Sequence, residues 1–233
     1  CSAVAAGGYH NVAIRSDGSV RAWGYNYYGQ CYTPSDLDPC SSIGAGFMHS
    51  IAVQSGGAVR CWGENQWGQC DTPVDLGPCS GVAGGYKHTI ALRFNGGVRC
   101  WGRNNAGQCN TPADLGTCSA VAGGYYQTIA LRTDGFVRCW GANNYGQCNT
   151  PADLRPCTSV AGGRDHSIAI EKNCPDCASN LDGDCRVNGG DLGILLGEWG
   201  SCAAGCKGDI NADRFVDGAD LGILLNAWGP CTN

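Results

Sequence analysis

Apolar and polar residues alternate along short segments of the first 170 positions, and glycine-rich turns separate these segments. In the first copy the segments are residues 3–5, 10–14 and 20–23. A two-residue period over about four to six positions is typical of β-strands. Asp17-Gly18 connects the second segment to the third, and such a pair allows the positive φ angles of a tight hairpin. The pattern predicts one small antiparallel sheet per copy.

This string recurs with a step of 39 residues, four times in residues 1–156 and for half a copy in residues 157–171. A constant step without insertions indicates one supersecondary unit that is copied and stacked. We therefore expect an all-β repeat domain over residues 1–172. A histidine or glutamine occupies one equivalent position in every copy, which favours a buried structural role over catalysis. The residues at this position are His10, His49, His88, Gln127 and His166.

The copies GGYHNVAIRSDGSVRAWGYNYYGQ and GAGFMHSIAVQSGGAVRCWGENQWGQ resemble the regulator-of-chromosome-condensation repeat, which is a β-propeller blade. The short step and the Pro-Ala-Asp-Leu linker look most like the secreted propeller that inhibits β-lactamases. The resemblance implies blades, usually seven in a closed ring, and binding through loops on one face. It does not imply chromatin exchange activity, because that depends on particular loops. Four and a half blades leave three alternatives: a small ring, a fragment of a longer chain, or an open arc that pairs with another copy.

Charge and cysteine content narrow the class of protein. The net charge of −5 argues against nucleic acid and anionic membranes as partners. No apolar run approaches the roughly 18 residues of a membrane span, and no leader precedes Cys1, so we expect a soluble, processed chain. Eighteen cysteines among 233 residues indicate an extracellular, secreted or cell-surface protein with disulfides.

Twelve cysteines lie in the repeats, and the simplest pairing joins each Gly-Gln-Cys to the cysteine that opens the next copy. Each such bond would close a linker nine positions long. The expected pairs are Cys31–Cys40, Cys70–Cys79, Cys109–Cys118 and Cys148–Cys157. Cys1, Cys61, Cys100 and Cys139 stay unassigned, because sequence does not decide connectivity.

The loops that differ between copies are candidates for partner binding, since the scaffold leaves these positions free. Tyrosine, tryptophan and arginine in loops often anchor protein interfaces and sugar platforms. The candidates are Tyr25, Tyr27, Tyr28, Trp67, Arg103 and Tyr145 after Trp-Gly, and Phe47, Tyr86, Tyr125 and Tyr126 before the second strand. The alternative is that these aromatic residues only cover blade edges.

A second duplication, with a step of 29 residues, occupies residues 173–233. Asp-Leu-Gly-Ile-Leu-Leu begins at Asp191 and again at Asp220, each time after an acidic loop. Oxygen side chains at loop positions 1, 3, 5 and 12 suit a hard cation, so the spacing predicts two calcium ions. No carboxylate pair, Cys-His pair or Ser-His-Asp set stands out in the sequence, so we expect no catalytic residues. The expected ligands are Asn180, Asp182, Asp184, the Arg186 carbonyl, Asn188 and Asp191 in the first loop, and Asp209, Asn211, Asp213, the Phe215 carbonyl, Asp217 and Asp220 in the second.

This duplication resembles a type I dockerin, a small α module with two calcium loops that plugs into cohesin domains. Cys185 and Arg214 stand at loop position 6, where glycine is usual. Gly189-Gly190 and Gly218-Ala219 stand where dockerins often carry the Ser/Thr of cohesin recognition. Calcium binding therefore carries over better than cohesin binding. The 29-residue symmetry suggests the bonds Cys177–Cys202 and Cys206–Cys231, which leaves Cys174–Cys185.

These features predict a secreted, non-enzymatic structural or adhesive protein that the calcium module assembles or anchors. Its partners would be other copies of itself, in an oligomer or filament, or a cell-surface or cohesin-like scaffold. The alternative is a monomeric recognition domain that binds a protein or glycan through its aromatic loops and uses the dockerin-like module as a tether.

Overall fold

The computed structural model describes residues 1–37, 39–172, 177–183, 185–202 and 206–231. The chain divides into two compact units, Cys1–Ile170 and Glu171–Asn233. The division falls two residues before the expected end of the repeats at 172. Each unit is described by itself below.

The first unit consists of consecutive antiparallel sheets, called blades 1 to 5 here. Among the described residues, blades 1 to 4 have three strands each and blade 5 has two. The strands are β1 (Ala3–Ala6), β2 (His10–Ile14), β3 (Val20–Gly24), β4 (Cys40–Ala45), β5 (His49–Gln54), β6 (Val59–Gly63), β7 (Cys79–Gly84), β8 (His88–Arg93), β9 (Val98–Gly102), β10 (Cys118–Gly123), β11 (Gln127–Arg132), β12 (Val137–Gly141), β13 (Cys157–Gly162) and β14 (Ser167–Glu171).

Each blade packs on the next, and the array does not close into a ring. The predicted all-β repeat array is therefore confirmed, in an open form. The hairpins turn at the glycines that the sequence places there. Gly57, for example, has a φ of 86°, and a Cβ on it would lie 2.8 Å from the Cβ of Pro78. Only glycine combines this backbone conformation with so close an approach.

Apolar side chains from facing blades form one core cluster at each junction. Between blades 2 and 3, Ile51 and Val53 pack against Val82 and Trp101, and all four are buried. Equivalent residues form the junctions on either side. Because one strand position faces the preceding blade and the next position faces the following blade, both faces of an inner blade are buried. This explains the near-continuous apolar runs of β5 and β8.

A buried chain of hydrogen bonds also joins each of blades 1 to 3 to the next blade through the repeated histidine. The Ser50 hydroxyl donates to the Gln30 carbonyl at 2.8 Å. Its oxygen therefore accepts from His10 Nε2, which lies 2.9 Å away. His49 with Thr89, and His88 with Thr128, repeat this contact at 3.1 and 3.2 Å. The predicted structural role of the histidines agrees with this geometry.

The disulfides of the array connect strands to loops within one blade, so the expected linker pairs are wrong. Cys61 is bonded to Cys70, and Cys139 to Cys148, each with a Cα–Cα distance of 4.9 Å. The third strand and the loop that returns after Gly-Gln-Cys lie side by side, which brings these sulfurs together. The expected bonds Cys70–Cys79 and Cys148–Cys157 are therefore not formed.

The other two expected linker bonds are also not formed, since Cys31, Cys109 and Cys118 are thiols. The cysteine that opens a blade lies at the start of its first strand, and the Cys118 sulfur lies 3.9 Å from the Gly116 carbonyl. Cys31 has no partner at the position of Cys61 because Ala22 stands there.

The second unit has a duplicated strand–helix–strand arrangement. Its elements are β15 (Arg186–Val187), α1 (Gly189–Gly197), β16 (Gly200–Ser201), β17 (Phe215–Val216), α2 (Gly218–Asn226) and β18 (Gly229–Pro230). β15 pairs with β18 and β16 with β17, so the two halves interlock. Leu195 and Leu224 are fully buried in the shared core, whereas Leu196 and Leu225 are about half exposed.

The disulfides of the second unit also depart from the symmetric expectation. Cys202 is bonded to Cys206, so Cys177–Cys202 and Cys206–Cys231 are not formed. Cys185 is disulfide-bonded. Cys174, its expected partner, lies outside the described residues. No described helix in either unit has the length and apolar character needed to cross a membrane.

The buried histidines predict that the array loses stability in mild acid. Burial, with the nearby His88 and His10, lowers the pKa of His49 from 6.5 to about 3, and burial lowers that of His88 to about 4. Below pH 6.5 the unfolded chain therefore binds protons that the folded array excludes. The free energy of unfolding should fall as the pH decreases from 6.5 toward 4, by up to about 1.4 kcal/mol per pH unit for each such histidine.

His49→Gln should reduce the slope of the free energy of unfolding against pH by the share of one histidine. Glutamine is the suitable replacement because Gln127 is buried at the equivalent position in blade 4 and has no titrating ring. Urea unfolding at several pH values measures the slope. His166→Gln is the matched control, since it makes the same change at a histidine that is exposed. An unchanged slope in His49→Gln would contradict this account of the histidines.

Candidate functional site

Aromatic side chains from successive blades form a ladder on one face of the array. Phe47, Tyr86 and Tyr125 occupy the same position in blades 2, 3 and 4. The Phe47 and Tyr86 ring centroids lie 4.8 Å apart, and Tyr86 stacks on Tyr125 at 4.0 Å. The Arg164 guanidinium continues the ladder from blade 5 and lies 5.2 Å from the Tyr125 ring.

Backbone hydrogen bonds between neighbouring blades hold this ladder in place. The Tyr86 N–H donates to the Tyr125 carbonyl at 3.2 Å, and the Phe47 N–H donates to the Gly85 carbonyl at 3.1 Å. The Gly-Gly turns lie against the buried histidines, since a Cβ on Gly85 would overlap the His88 ring. The close packing of the Gly-Gly turns on the buried histidines therefore also fixes the positions of the aromatic rings.

Four tyrosines of blade 1 extend the ladder at one end. Tyr9 lies 5.3 Å from Phe47 and 6.2 Å from Tyr25, measured between ring centroids. Tyr27 is stacked on Tyr25 at 6.4 Å and makes an edge contact with Tyr28 at 5.0 Å. Tyr9 and Tyr27 are 62% and 77% exposed, so this end offers accessible aromatic surface.

Arg103 joins two further rings on the other side of the ladder. Its guanidinium carbon lies 4.8 Å from the Trp67 ring and 4.9 Å from the Tyr126 ring. Tyr126 makes edge contacts with Tyr86 and Tyr125, at 5.6 and 4.7 Å. A cation between two aromatic faces is stabilised by both ring quadrupoles and loses side-chain freedom. The arrangement presents a rigid, mixed apolar and cationic surface.

A buried ion pair supports the centre of this surface. The Lys87 ammonium contacts the Glu64 carboxylate at 2.7 Å, and the Glu64 side chain is 2% exposed. Lys87 also lies 5.3 Å from the Tyr86 ring. Burial, with the neighbouring Tyr86 hydroxyl, raises the pKa of Tyr125 to about 12, so this phenol stays neutral.

The structure joins nine of the ten predicted binding residues in one continuous set, here called the aromatic face. Tyr145 is the exception: it is 77% exposed and lies beside blade 5. Tyr9 also belongs to the set, although the sequence analysis does not include it among the binding candidates. Its position in the variable turn before His10 is the sequence feature that could have identified it. The aromatic face consists of Tyr9, Tyr25, Tyr27, Tyr28, Phe47, Trp67, Tyr86, Arg103, Tyr125 and Tyr126.

The two segments that the sequence predicts to bind calcium lie in the second unit, and hydrogen bonds connect each of them to the helix that follows it. The Asp191 carboxylate, at position 12, is buried and accepts the N–H groups of Asp182 and Asn188 at 3.2 and 2.8 Å. Asp220 accepts those of Asn211 and Asp217 at 3.1 and 3.0 Å. Asn188 and Asp217, at position 9, cap their helices in capping boxes. These four side chains set the path of each loop.

The second loop brings its early oxygen side chains close together. Asp209 accepts the N–H groups of Asp213 and Arg214, each at 3.0 Å. The Asn211 side-chain amide donates to the Asp213 carboxylate at 2.9 Å. Cys185 and Arg214, at position 6, have φ angles of 69° and 75°. Both occupy the left-handed region where glycine is favoured, as expected for this loop position.

The expected ligands of both loops suit a hard cation, because all of them would coordinate it through oxygen atoms. In the first loop, the expected ligands Asn180 and Asp182 are among the described residues, while Asp184 lies outside them. Arg186 and Phe215 lie in the short strands β15 and β17, where their carbonyls follow the acidic positions. Within the described part of the chain, no three His, Cys, Asp or Glu side chains are already grouped as a metal site.

Sequence comparison identifies RCC1 repeats in the array. The model of the regulator of chromosome condensation (RCC1) repeat matches residues 1–30, 79–108 and 118–147. These segments are the first thirty residues of blades 1, 3 and 4. No curated protein matches the chain.

Solved structures show the same fold. Prp20p from Saccharomyces cerevisiae superposes with a TM-score of 0.61 at 21% identity, over 72% of this chain and 54% of that chain. Human WBSCR16 gives 0.63 at 19% identity, over 73% and 57%. The ectodomain of the receptor kinase CR4 from Physcomitrella patens gives 0.57 at 26% identity, over 69% and 44%. The chain thus spans about half the length of these structures.

Proposed function

We propose that this protein is an extracellular, non-enzymatic recognition protein that binds a partner protein through the aromatic face. The observation that carries the proposal is the continuity of the rings across four blades at positions where the repeats differ. Structural positions repeat, as the histidines do, whereas the face is built from residues that change from copy to copy. The disulfides Cys61–Cys70 and Cys139–Cys148 support an oxidising, extracellular location.

The chemistry of the aromatic face favours a protein partner with apolar and acidic groups. Its rings are held by stacking and backbone bonds, so little side-chain entropy is lost on binding. Arg103 and Arg164 place cations beside the rings, while Lys87 is neutralised by Glu64. A protein of similar fold also binds proteins, since Prp20p binds Gsp1p and histones. A glycan that stacks on the tyrosines is the alternative ligand.

The proposal predicts that peptides selected against the array bind the aromatic face. A phage-displayed random peptide library selected on the full chain should yield aromatic and acidic sequences. Their affinity should fall by about tenfold or more in Tyr86→Ala, because removal of a central ring commonly costs about 2 kcal/mol. Binding is measured by biolayer interferometry.

Tyr32→Ala is the matched control for this experiment, because Tyr32 is 75% exposed and lies outside the aromatic face. It should leave the affinity unchanged. Selected peptides that bind Tyr86→Ala and Tyr32→Ala equally would contradict the assignment. Binding of the full chain on a glycan microarray that is lost in Tyr86→Ala, together with failure of the peptide selection, would replace the protein partner by a glycan.

We further propose that the second unit binds two calcium ions and anchors the protein as a dockerin-like module. The paired loops with oxygen donors and the left-handed residue at position 6 support this proposal. Calcium would order the loops and thereby stabilise the unit, since an ion bound only by the folded state adds to its stability. A cohesin-like scaffold or a cell-surface protein would then be the anchor.

Calcium should raise the unfolding temperature of the second unit and leave that of the array unchanged. At a free calcium concentration 100 times the Kd, the expected stabilisation is about 2.7 kcal/mol for each site. Scanning calorimetry of the full chain with calcium and with a chelator measures both transitions. Asp213→Ala should reduce the shift, and Asp153→Ala, an exposed aspartate of the array, should not. Identical traces with calcium and chelator would refute the calcium proposal.

Self-association is a second candidate function, and exposed apolar residues at the ends of the array favour it. Trp23 is 52% exposed, whereas the equivalent Trp62 is 8% exposed because blade 1 covers it. At the other end, Ile168 and Ile170 are 50% and 60% exposed. End faces of this kind, placed head to tail, would build an oligomer or filament.

Light scattering of the purified chain across a concentration series tests this candidate. Head-to-tail association predicts a mass that grows with concentration, and Trp23→Ser should return the mass toward that of a monomer. Tyr32→Ser provides a control for loss of an exposed aromatic residue. A constant monomer mass would eliminate the filament and leave monomeric recognition.

A further inference from the structure

Blade 5 has two strands within the described residues, whereas every preceding blade has three. Among the described residues, β14 pairs with β13 alone, whereas β11 pairs with both β10 and β12. The third strand has the sequence Val-Arg-Ala-Trp-Gly in blade 1 and Val-Arg-Cys-Trp-Gly in blades 2 to 4. At the equivalent positions 176–180 the chain reads Asp-Cys-Ala-Ser-Asn, and these residues belong to the second unit. The sequence at these positions therefore lacks the Val-Arg-x-Trp-Gly motif of the third strand.

In blades 2 to 4, the third strand packs its tryptophan against the preceding blade. Trp62 packs with Val20 and Leu37, and its indole N–H donates to the Gln30 carbonyl at 2.9 Å. Trp101 and Trp140 occupy the equivalent places, with Val59 and Leu76 or Val98 and Leu115 around them. Each junction thus holds one indole between a valine and a leucine of the blade before it.

The fourth such place, here called the strand seat, contains no tryptophan. It is a cavity of about 400 Å³ lined by the equivalent residues Val137, Gln147 and Leu154 of blade 4 and by Ser167 and Ile168 of β14. The Ser167 hydroxyl donates to the Gln147 carbonyl at 2.8 Å, as Ser50 does to Gln30. The strand seat therefore has the same hydroxyl–carbonyl hydrogen bond as the place that Trp62 occupies.

The glycine after the tryptophan adds a second requirement for whatever fills the seat. Gly63 and Gly102 have φ angles of 104° and 101°. A Cβ at either one would lie 2.7 Å from a carbonyl oxygen, that of Met48 or Lys87. The equivalent carbonyl in blade 5 is that of Asp165, which also lines the cavity. A residue larger than glycine would meet it.

We propose that an extended segment of a partner protein completes blade 5 by adding a third strand to β14. The segment carries Val-x-x-Trp-Gly, runs antiparallel to β14 and places its indole between Val137 and Leu154. Strand addition of this type uses main-chain hydrogen bonds for affinity and side-chain pockets for specificity. A second copy of this chain is a poorer donor, because each of its Val-Arg-x-Trp-Gly segments is already paired within its own blade.

The experiment uses the full chain and a fluorescein-labelled peptide of residues 19–26, Ser-Val-Arg-Ala-Trp-Gly-Tyr-Asn, which has no cysteine. Fluorescence anisotropy should show saturable binding. Peptides with Trp23→Ala or Gly24→Ala should bind at least about tenfold more weakly, since each removes a defined fit. These changes lie in the peptide, so they cannot unfold the protein. Hydrogen exchange should slow at residues 167–170 when the peptide binds.

Protein variants separate this site from the aromatic face. Tyr86→Ala should leave peptide binding unchanged, whereas Leu154→Trp, which fills the seat, should abolish it. Three results would each overturn the proposal: no binding up to about 1 mM peptide, binding of the Trp23→Ala or Gly24→Ala peptide that is as tight as that of the unchanged peptide, or protection away from residues 167–170. An oligomer of the chain that the peptide dissolves into monomers would also overturn it, because a second copy would then be the occupant.

Discussion

The hydrogen bonds from one blade's histidine to the next blade's hydroxyl are the interaction on which the array depends. A sheet of two or three short strands buries little apolar surface by itself. Each blade is therefore stable only against its neighbours, and the buried chain from His49 through Thr89 to the Gln69 carbonyl fixes how they meet. A buried hydroxyl that lost this bond would cost more than the bond contributes, so the contact favours the register in which histidine and hydroxyl meet.

This repeated junction also separates structural residues from recognition residues. Glycine is held beside each histidine because any side chain would overlap the ring. The neighbouring position, occupied by Phe47, Tyr86 and Tyr125, differs between the copies, with Gly8 in blade 1 and Arg164 in blade 5. The aromatic face is thus a consequence of the blade packing: the core sets the spacing of the positions, and the varying residues supply the chemistry.

The two units use different contacts to hold their surface loops in place. The array relies on contacts between distant residues, whereas the second unit builds each loop around one buried aspartate, Asp191 or Asp220, that joins loop and helix. The left-handed Arg214 shows that this loop geometry is kept without the usual glycine. A divalent cation would then add to a path that the backbone already follows, and its gain in stability would be confined to this unit.

The sequence by itself determined the period, the strands and the loops that vary, because alternation of apolar residues and glycine turns are local properties. It placed Tyr86, Tyr125 and Arg103 among the binding candidates for the same reason. Only the tertiary structure decided that Cys70 pairs with Cys61 rather than Cys79, that Tyr9 joins the aromatic face, and that Ile168 borders an open seat. Those outcomes depend on which chain segments lie side by side in space, and a linear pattern does not encode that distance.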